Sequence, residues 1–168
     1  MTMPARLLLL AALLTPAAAR ADAQFLTRFD GSFRGSGTVQ REQDTSPRRV
    51  SCSVEGTQPS QSRLRIAGSC RAAVIVRREI GADIRFDPAS GRFSGSYTGS
   101  TKGVSQLSNG RLRGDTLTFT LTYPVTVHGD RTAVMTIRNN GGGGFSLSVT
   151  DQVDGQPRKT SDITLRRG

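Results

Sequence analysis

The sequence predicts an all-β domain, an antiparallel meander of about nine or ten strands that closes or coils strongly into a barrel, with a β-sandwich as the alternative. Two observations predict it. Apolar or small residues alternate with polar ones at a period of two in segment after segment, the signature of strands buried on one face. Short clusters of Gly, Asn, Asp and Pro separate those segments at hairpin spacing. A sheet of that size with a single apolar face must close on itself or fold over into two layers.

The first 23 residues read as a secretory signal peptide. Arg6 supplies the positive start, Leu7 to Leu14 the apolar core, and Pro16 opens a small-residue stretch. Cleavage fits after Ala19 or after Ala23, and the Ala21-Asp22-Ala23 site is preferred. Residues 24–168 then form a single β domain of 145 residues, long enough to bury a real core. An eight-residue apolar run falls far short of the ~20 needed to span a bilayer as a helix, so no transmembrane segment is expected.

From Phe29 to Val39 every odd residue is apolar or glycine and every even one between them is polar. Three glycines on that inner face (Gly31, Gly35, Gly37) imply sharp coiling, or the close approach of another strand or an aromatic ring. Val50, Cys52 and Val54 repeat the alternation, followed by Leu64, Ile66, Gly68 and Cys70. Ala72 to Ile80 fits either a buried strand or one short helix. Strand is preferred there and for the alternating run Ile80, Ala82, Ile84, Phe86, with Gly81 as a bulge. Phe93, Gly95, Tyr97 and Gly99 come next, and the clearest run is Leu117, Phe119, Leu121 and Tyr123 against four threonines. Turns are expected at Ser46-Pro47, Asp87 to Gly91, Asn109-Gly110, Gly114-Asp115, Gly129-Asp130, Asn139 to Gly144 and Asp154-Gly155.

Cys52 and Cys70 are the only cysteines, and in an exported chain an even count argues for a disulfide. Register supports the pairing separately. In a hairpin centred on Gln61, residues whose numbers sum to 122 face each other, so Cys52 opposes Cys70 on the inner face. Cross-strand neighbours sit ~4.5–5.5 Å apart, within reach of a disulfide.

Much catalytic chemistry is missing. The one histidine, His128, lies in a turn with Asp130 nearby, the raw material of a Ser-His-Asp arrangement, yet no Gly-x-Ser-x-Gly elbow accompanies it. A zinc site takes three or four ligands, which one histidine and a paired cysteine set do not supply. The glycine run 141–144 lacks the Lys-Ser/Thr and helix of a phosphate loop. No cofactor, no metal and no enzymatic activity are expected.

The chain carries a net charge of +10, or +9 without residues 1–23, and arginine supplies 21 of its 23 basic residues. Many fall on the polar side of the strands, with Arg63, Arg65, Arg111 and Arg113 as candidate anion-binding residues. Such charge draws a protein towards polyanions without a defined site. Trp is absent and the nine Phe and Tyr residues fall mostly inward, which removes the stacking platforms that single-stranded nucleic acid needs.

The runs Gly31 to Val39, Arg49-Val50-Ser51-Cys52, Leu64 to Cys70, Gly91 to Tyr97 and Gly110 to Gly114 resemble a group of small exported bacterial glycine-rich proteins with one cysteine pair on neighbouring strands. More loosely, the meander is similar to calycin-type barrels. The resemblance implies a periplasmic or secreted β protein, transfers no functional residue, and for the calycin likeness implies an enclosed apolar ligand.

Three functions follow. The first is a non-enzymatic envelope protein whose barrel binds a lipidic or amphipathic ligand. Phe33, Phe93, Tyr97, Phe119, Leu121 and Tyr123 would line its cavity, or else simply be the core, with arginines at the mouth. The second is a basic binding or inhibitor module for an anionic envelope polymer or other envelope partner. The third is a hydrolase using His128 and Asp130.

Overall fold

A computed structural model describes residues 17–73, 76–100 and 102–168. The expected signal-peptide core, Leu7 to Leu14, lies outside the described residues. A helix, α1 (Ala17–Thr27), precedes ten strands: β1 (Gly31–Val39), β2 (Arg48–Ser60), β3 (Arg63–Ala72), β4 (Val76–Asp87), β5 (Arg92–Thr98), β6 (Ser105–Arg113), β7 (Thr116–Val127), β8 (Asp130–Gly141), β9 (Gly144–Val153) and β10 (Gln156–Arg167). Each strand pairs antiparallel with its neighbours in sequence, and β1 pairs with β10 from Phe33↔Arg167 to Val39↔Ser161. That last ladder closes the barrel and excludes the sandwich.

Hairpin chemistry sets the meander. His128-Gly129 and Asp154-Gly155 both hold positive φ at two consecutive residues, the backbone of a two-residue turn whose twist suits right-handed strands. Asn109-Gly110 behaves differently from expectation. Asn109 has φ 53°, but the pair lies inside β6, where the register shifts against both β5 and β7. The same left-handed preference that marks a turn makes a bulge here.

Ala72 to Ile80 is not one strand. β3 ends at Ala72, Ala73 adopts φ 58°, and β4 begins at Val76, paired with Ala72. Val74 and Ile75 lie outside the described residues. Gly81 is no bulge, because pairing runs unbroken from Arg63↔Arg85 to Ala72↔Val76. The inner glycines of β1 do mark a close approach. A Cβ on Gly35 or Gly37 would fall on the backbone oxygen of Thr164 or Asp162, so β10 packs where a side chain would stand.

The two ends of the barrel differ. At one end the aromatics crowd together: Phe29 meets Phe145 with ring centroids 5.2 Å apart, and Phe33 meets the same ring at 5.0 Å, both edge to face. Phe25 and Leu26 of α1 are buried there too, so the helix and the Phe29 that follows it plug this end. Phe29 is therefore a plug residue and not the start of the first strand. The residues that do the plugging follow both expected cleavage points. Towards the other end, β1, β2 and β3 contribute small inward residues: Gly37, Val50 and the Cys52–Cys70 pair. Eight strands are just filled by side chains, and ten enclose more width, so small residues at one end leave space.

Candidate functional site

That space is a cavity of about 190 Å³ opening at the end opposite α1. A single water needs only ~10–15 Å³ on this scale, so the cavity has room for far more than a few waters. Its wall is aliphatic, built by Val39, Val50, Ile80, Val127 and Ile163, with Tyr97, Tyr123 and Asp151 among the lining residues.

Alternation on β9 explains Asp151. Phe145, Leu147 and Val149 point inward, and the next inward position is Asp151, only 2% exposed. Its two oxygens are each satisfied by a hydroxyl. Tyr123 donates its phenol at 2.9 Å, and Thr160 donates to the other oxygen. Thr160 reaches it because the register of β10 shifts between Lys159 and Ser161, a bulge that turns the hydroxyl inward. Burial first, and then the nearby Asp151 charge, push the phenols of Tyr97 and Tyr123 well above the ordinary range, so both remain hydroxyls. Tyr123→Phe would strip one donor from a buried carboxylate. Equilibrium denaturation should show a loss of about 1–3 kcal/mol, and an unchanged midpoint would refute this account of the Tyr123–Asp151 bond.

The mouth is tied together by residues 40–44. Arg41 and Arg48 both pair with Asp44, at 2.7 and 2.8 Å, and the Asp44 side chain is 1% exposed. The Arg41 side chain above all, helped by the Arg41 backbone N–H and by Arg48, holds that carboxyl well below its usual range. Glu42 spans the opening. It accepts the backbone N–H of His128 at 3.0 Å and pairs with Lys102 at 3.3 Å. Arg78 and Glu79 also line the cavity, and among the described residues Arg78 forms no ion pair.

Of the six aromatic and aliphatic residues expected to line a ligand site, Tyr97 and Tyr123 are in the cavity wall. Phe33, Phe93, Phe119 and Leu121 are at most 1% exposed, lie deeper, and pack as core. Among the arginines, Arg63 grips Asp83 through two hydrogen bonds of 2.9 and 2.6 Å, and Arg65 adds a third at 3.4 Å. Arg111 and Arg113 are on β6, separated from β3 by two strands, so the structure does not gather the four together. His128 sits on the cavity rim, but the Asp130 carboxylate is bonded to Arg131 and Thr132. Cys52 and Cys70 are disulfide-bonded, with Cα atoms 4.0 Å apart and in the register their numbering implies.

Asp151, Thr160 and the strap at residues 40–44 went unread in the sequence. The alternation Phe145, Leu147, Val149, Asp151 was the available signal for the first. Nothing local marks the bulge at Thr160. Among the described residues no group of three or more His, Cys, Asp or Glu could hold a metal ion, and no helix is long and apolar enough to cross a membrane.

Known structures share the architecture. The chain is similar to Rv2717c from M. tuberculosis, with a TM-score of 0.62 and 15% identity, over 88% of this chain and 97% of that one. At this identity the likeness is one of fold. A structure of EF1p2_mFAP2b bound to DFHBI aligns over 90% of this chain and all of its own, at 16% identity, but its TM-score of 0.37 carries no argument. No protein-family model and no curated protein sequence matches the chain.

Proposed function

We propose that this is an exported, non-enzymatic binding barrel that takes a lipidic or amphipathic ligand through its open end. The cavity carries the reading: an aliphatic wall with a few convergent polar groups is the usual form of a small-molecule site. The apolar part of the ligand lies against Val50, Ile80, Val127 and Ile163. An anionic head stays at the mouth beside Arg78, since the depth already holds the Asp151 charge. Export is supported by the signal-peptide pattern of residues 1–23, by the disulfide, and by the resemblance to small exported glycine-rich proteins. The non-enzymatic reading is supported by the engagement of Asp130 with its own turn, away from the role of orienting His128.

The test is native mass spectrometry of protein purified from the exporting host, followed by organic extraction and titration with a fluorescent fatty acid. A stoichiometric co-purifying lipid, or saturable probe binding that Ile80→Trp abolishes and Arg78→Ala weakens, is expected. A clean apo mass together with no saturable binding would overturn the proposal.

A further inference from the structure

Outside the cavity, the outer wall over β10, β1, β2, β3 and β4 places arginines directly opposite one another. Arg34 faces Arg166 across β1 and β10, and Arg71 faces Arg77 across β3 and β4. Like charges in directly opposed positions destabilise a sheet. The protein shows how such a pair is otherwise relieved, because Arg63 faces Arg85 and there Asp83 bonds Arg63 at 2.6 Å. Among the described residues no carboxylate forms an ion pair with Arg34, Arg166, Arg71 or Arg77, and Glu79, opposite Ser69, leaves Arg77 to bond the Ser69 hydroxyl at 2.9 Å.

Between the two pairs lies a floor of small residues. Ser53 faces both Arg34 and Ser69, and Ser51 faces Arg71. With Ser69, these serines and Arg34, Arg71 and Arg77 line a recess on the wall, with Arg166 beside it. With strands ~4.8 Å apart, the Arg34 and Arg71 positions are separated by about 10 Å across the sheet. Guanidinium forks around a hydroxyl floor offer donors suited to sulfate, phosphate or carboxylate oxygens.

We infer that this recess is a binding site for a linear acidic polysaccharide. A recess with tall basic flanks seats a single chain, whereas a flat membrane would meet only the rims. The exposed large hydrophobics among the described residues, Val76, Val104, Val125 and Val134, are not in it, so it has no apolar wedge for lipid. It has no aromatic to stack a nucleobase either. An acidic chain laid across the strands places its anions between Arg34 and the opposed Arg71–Arg77 pair, charges that the sheet leaves unrelieved. The inference is independent of the cavity and its ligand.

Binding of dextran sulfate and polygalacturonate to the full chain tests it, against two triple variants that remove the same charge. R34A/R71A/R77A should weaken both polymers by about tenfold or more, while R92A/R138A/R158A, at exposed arginines outside the recess, stays within about twofold and neutral dextran does not bind. Equal losses in the two triples would mean that net charge alone attracts the polymer, and would overturn the site. So would failure of the wild-type chain to bind either polymer. Arginine-dependent binding of phosphatidylglycerol vesicles or of a single-stranded oligonucleotide, in preference to the polymers, would overturn it as well. Thermal melts establish that both triples fold, and R34Q/R71Q/R77Q, which removes the same charge and keeps most of the side-chain bulk, replaces the first triple if it does not.

Discussion

Phe145→Ala should be the most damaging single substitution in the barrel, costing about 3–5 kcal/mol, the usual range for a buried phenylalanine truncated in a tight core. The Phe145 ring is the shared partner of Phe29 and Phe33, at centroid distances of 5.2 and 5.0 Å, and is 1% exposed. Removing it opens a void between the plug and the strands. Neither side can collapse into it, because β9 is laddered on both edges and Phe29 is held against Phe25 at 5.0 Å. In a domain of this size the melting midpoint should fall by roughly 10–15 °C. A loss below about 1 kcal/mol would show that the plug is not a cooperative part of the barrel. Because the cavity opens at the other end, probe binding at low temperature should survive the substitution.

Removing the disulfide should have the next largest effect. Cys52 and Cys70 are 18 residues apart in sequence, and in the chain-entropy picture closing a loop of that length is worth about 3 kcal/mol. The double substitution C52A/C70A should lower the midpoint by roughly 10 °C, and wild-type protein unfolded with dithiothreitol present should behave alike. Both ladders flanking the pair remain, with Gly35 opposite Cys52 and Arg78 opposite Cys70, so the folded barrel should keep its shape. A dithiothreitol-insensitive denaturation curve would refute the stabilising role.

Local pattern served well wherever one strand carried its own message. Leu117, Phe119, Leu121 and Tyr123 read as a strand and are one, inward on β7. The sum of 122 that set Cys52 against Cys70 also set Val54 against Gly68, and it holds until the register shifts beyond Thr57. It failed where one signal has two structural uses. Asn109-Gly110 supplies positive φ, which a turn and a bulge share. Ala72 to Ile80 is apolar throughout much of its length, so periodicity could not reveal that β3 ends at Ala72 and β4 begins at Val76. The helix was hidden for a different reason: Phe25, Leu26 and Phe29 have the spacing of a helical face, but they follow immediately on a segment read as a signal peptide.

The candidate site was less legible than the fold. Inward residues could be identified, but not their height along the barrel axis, and height separates Tyr97 and Tyr123 in the cavity wall from Phe93 and Phe119 in the core. Height depends on strand tilt and on the register shifts of β5, β6 and β10, which are properties of neighbouring ladders.

By itself the sequence determined the all-β class, the inward face of each clear strand and the cysteine register, because period-two alternation and hairpin geometry act over a few residues. Only the tertiary structure decided that β1 meets β10, that one end is plugged while the other is open, and that Thr160 and Tyr123 converge on Asp151. It also decided which arginines stand opposed without a carboxylate. Those outcomes depend on which distant strands become neighbours, and the energy that selects them comes from closing the whole sheet around its apolar face.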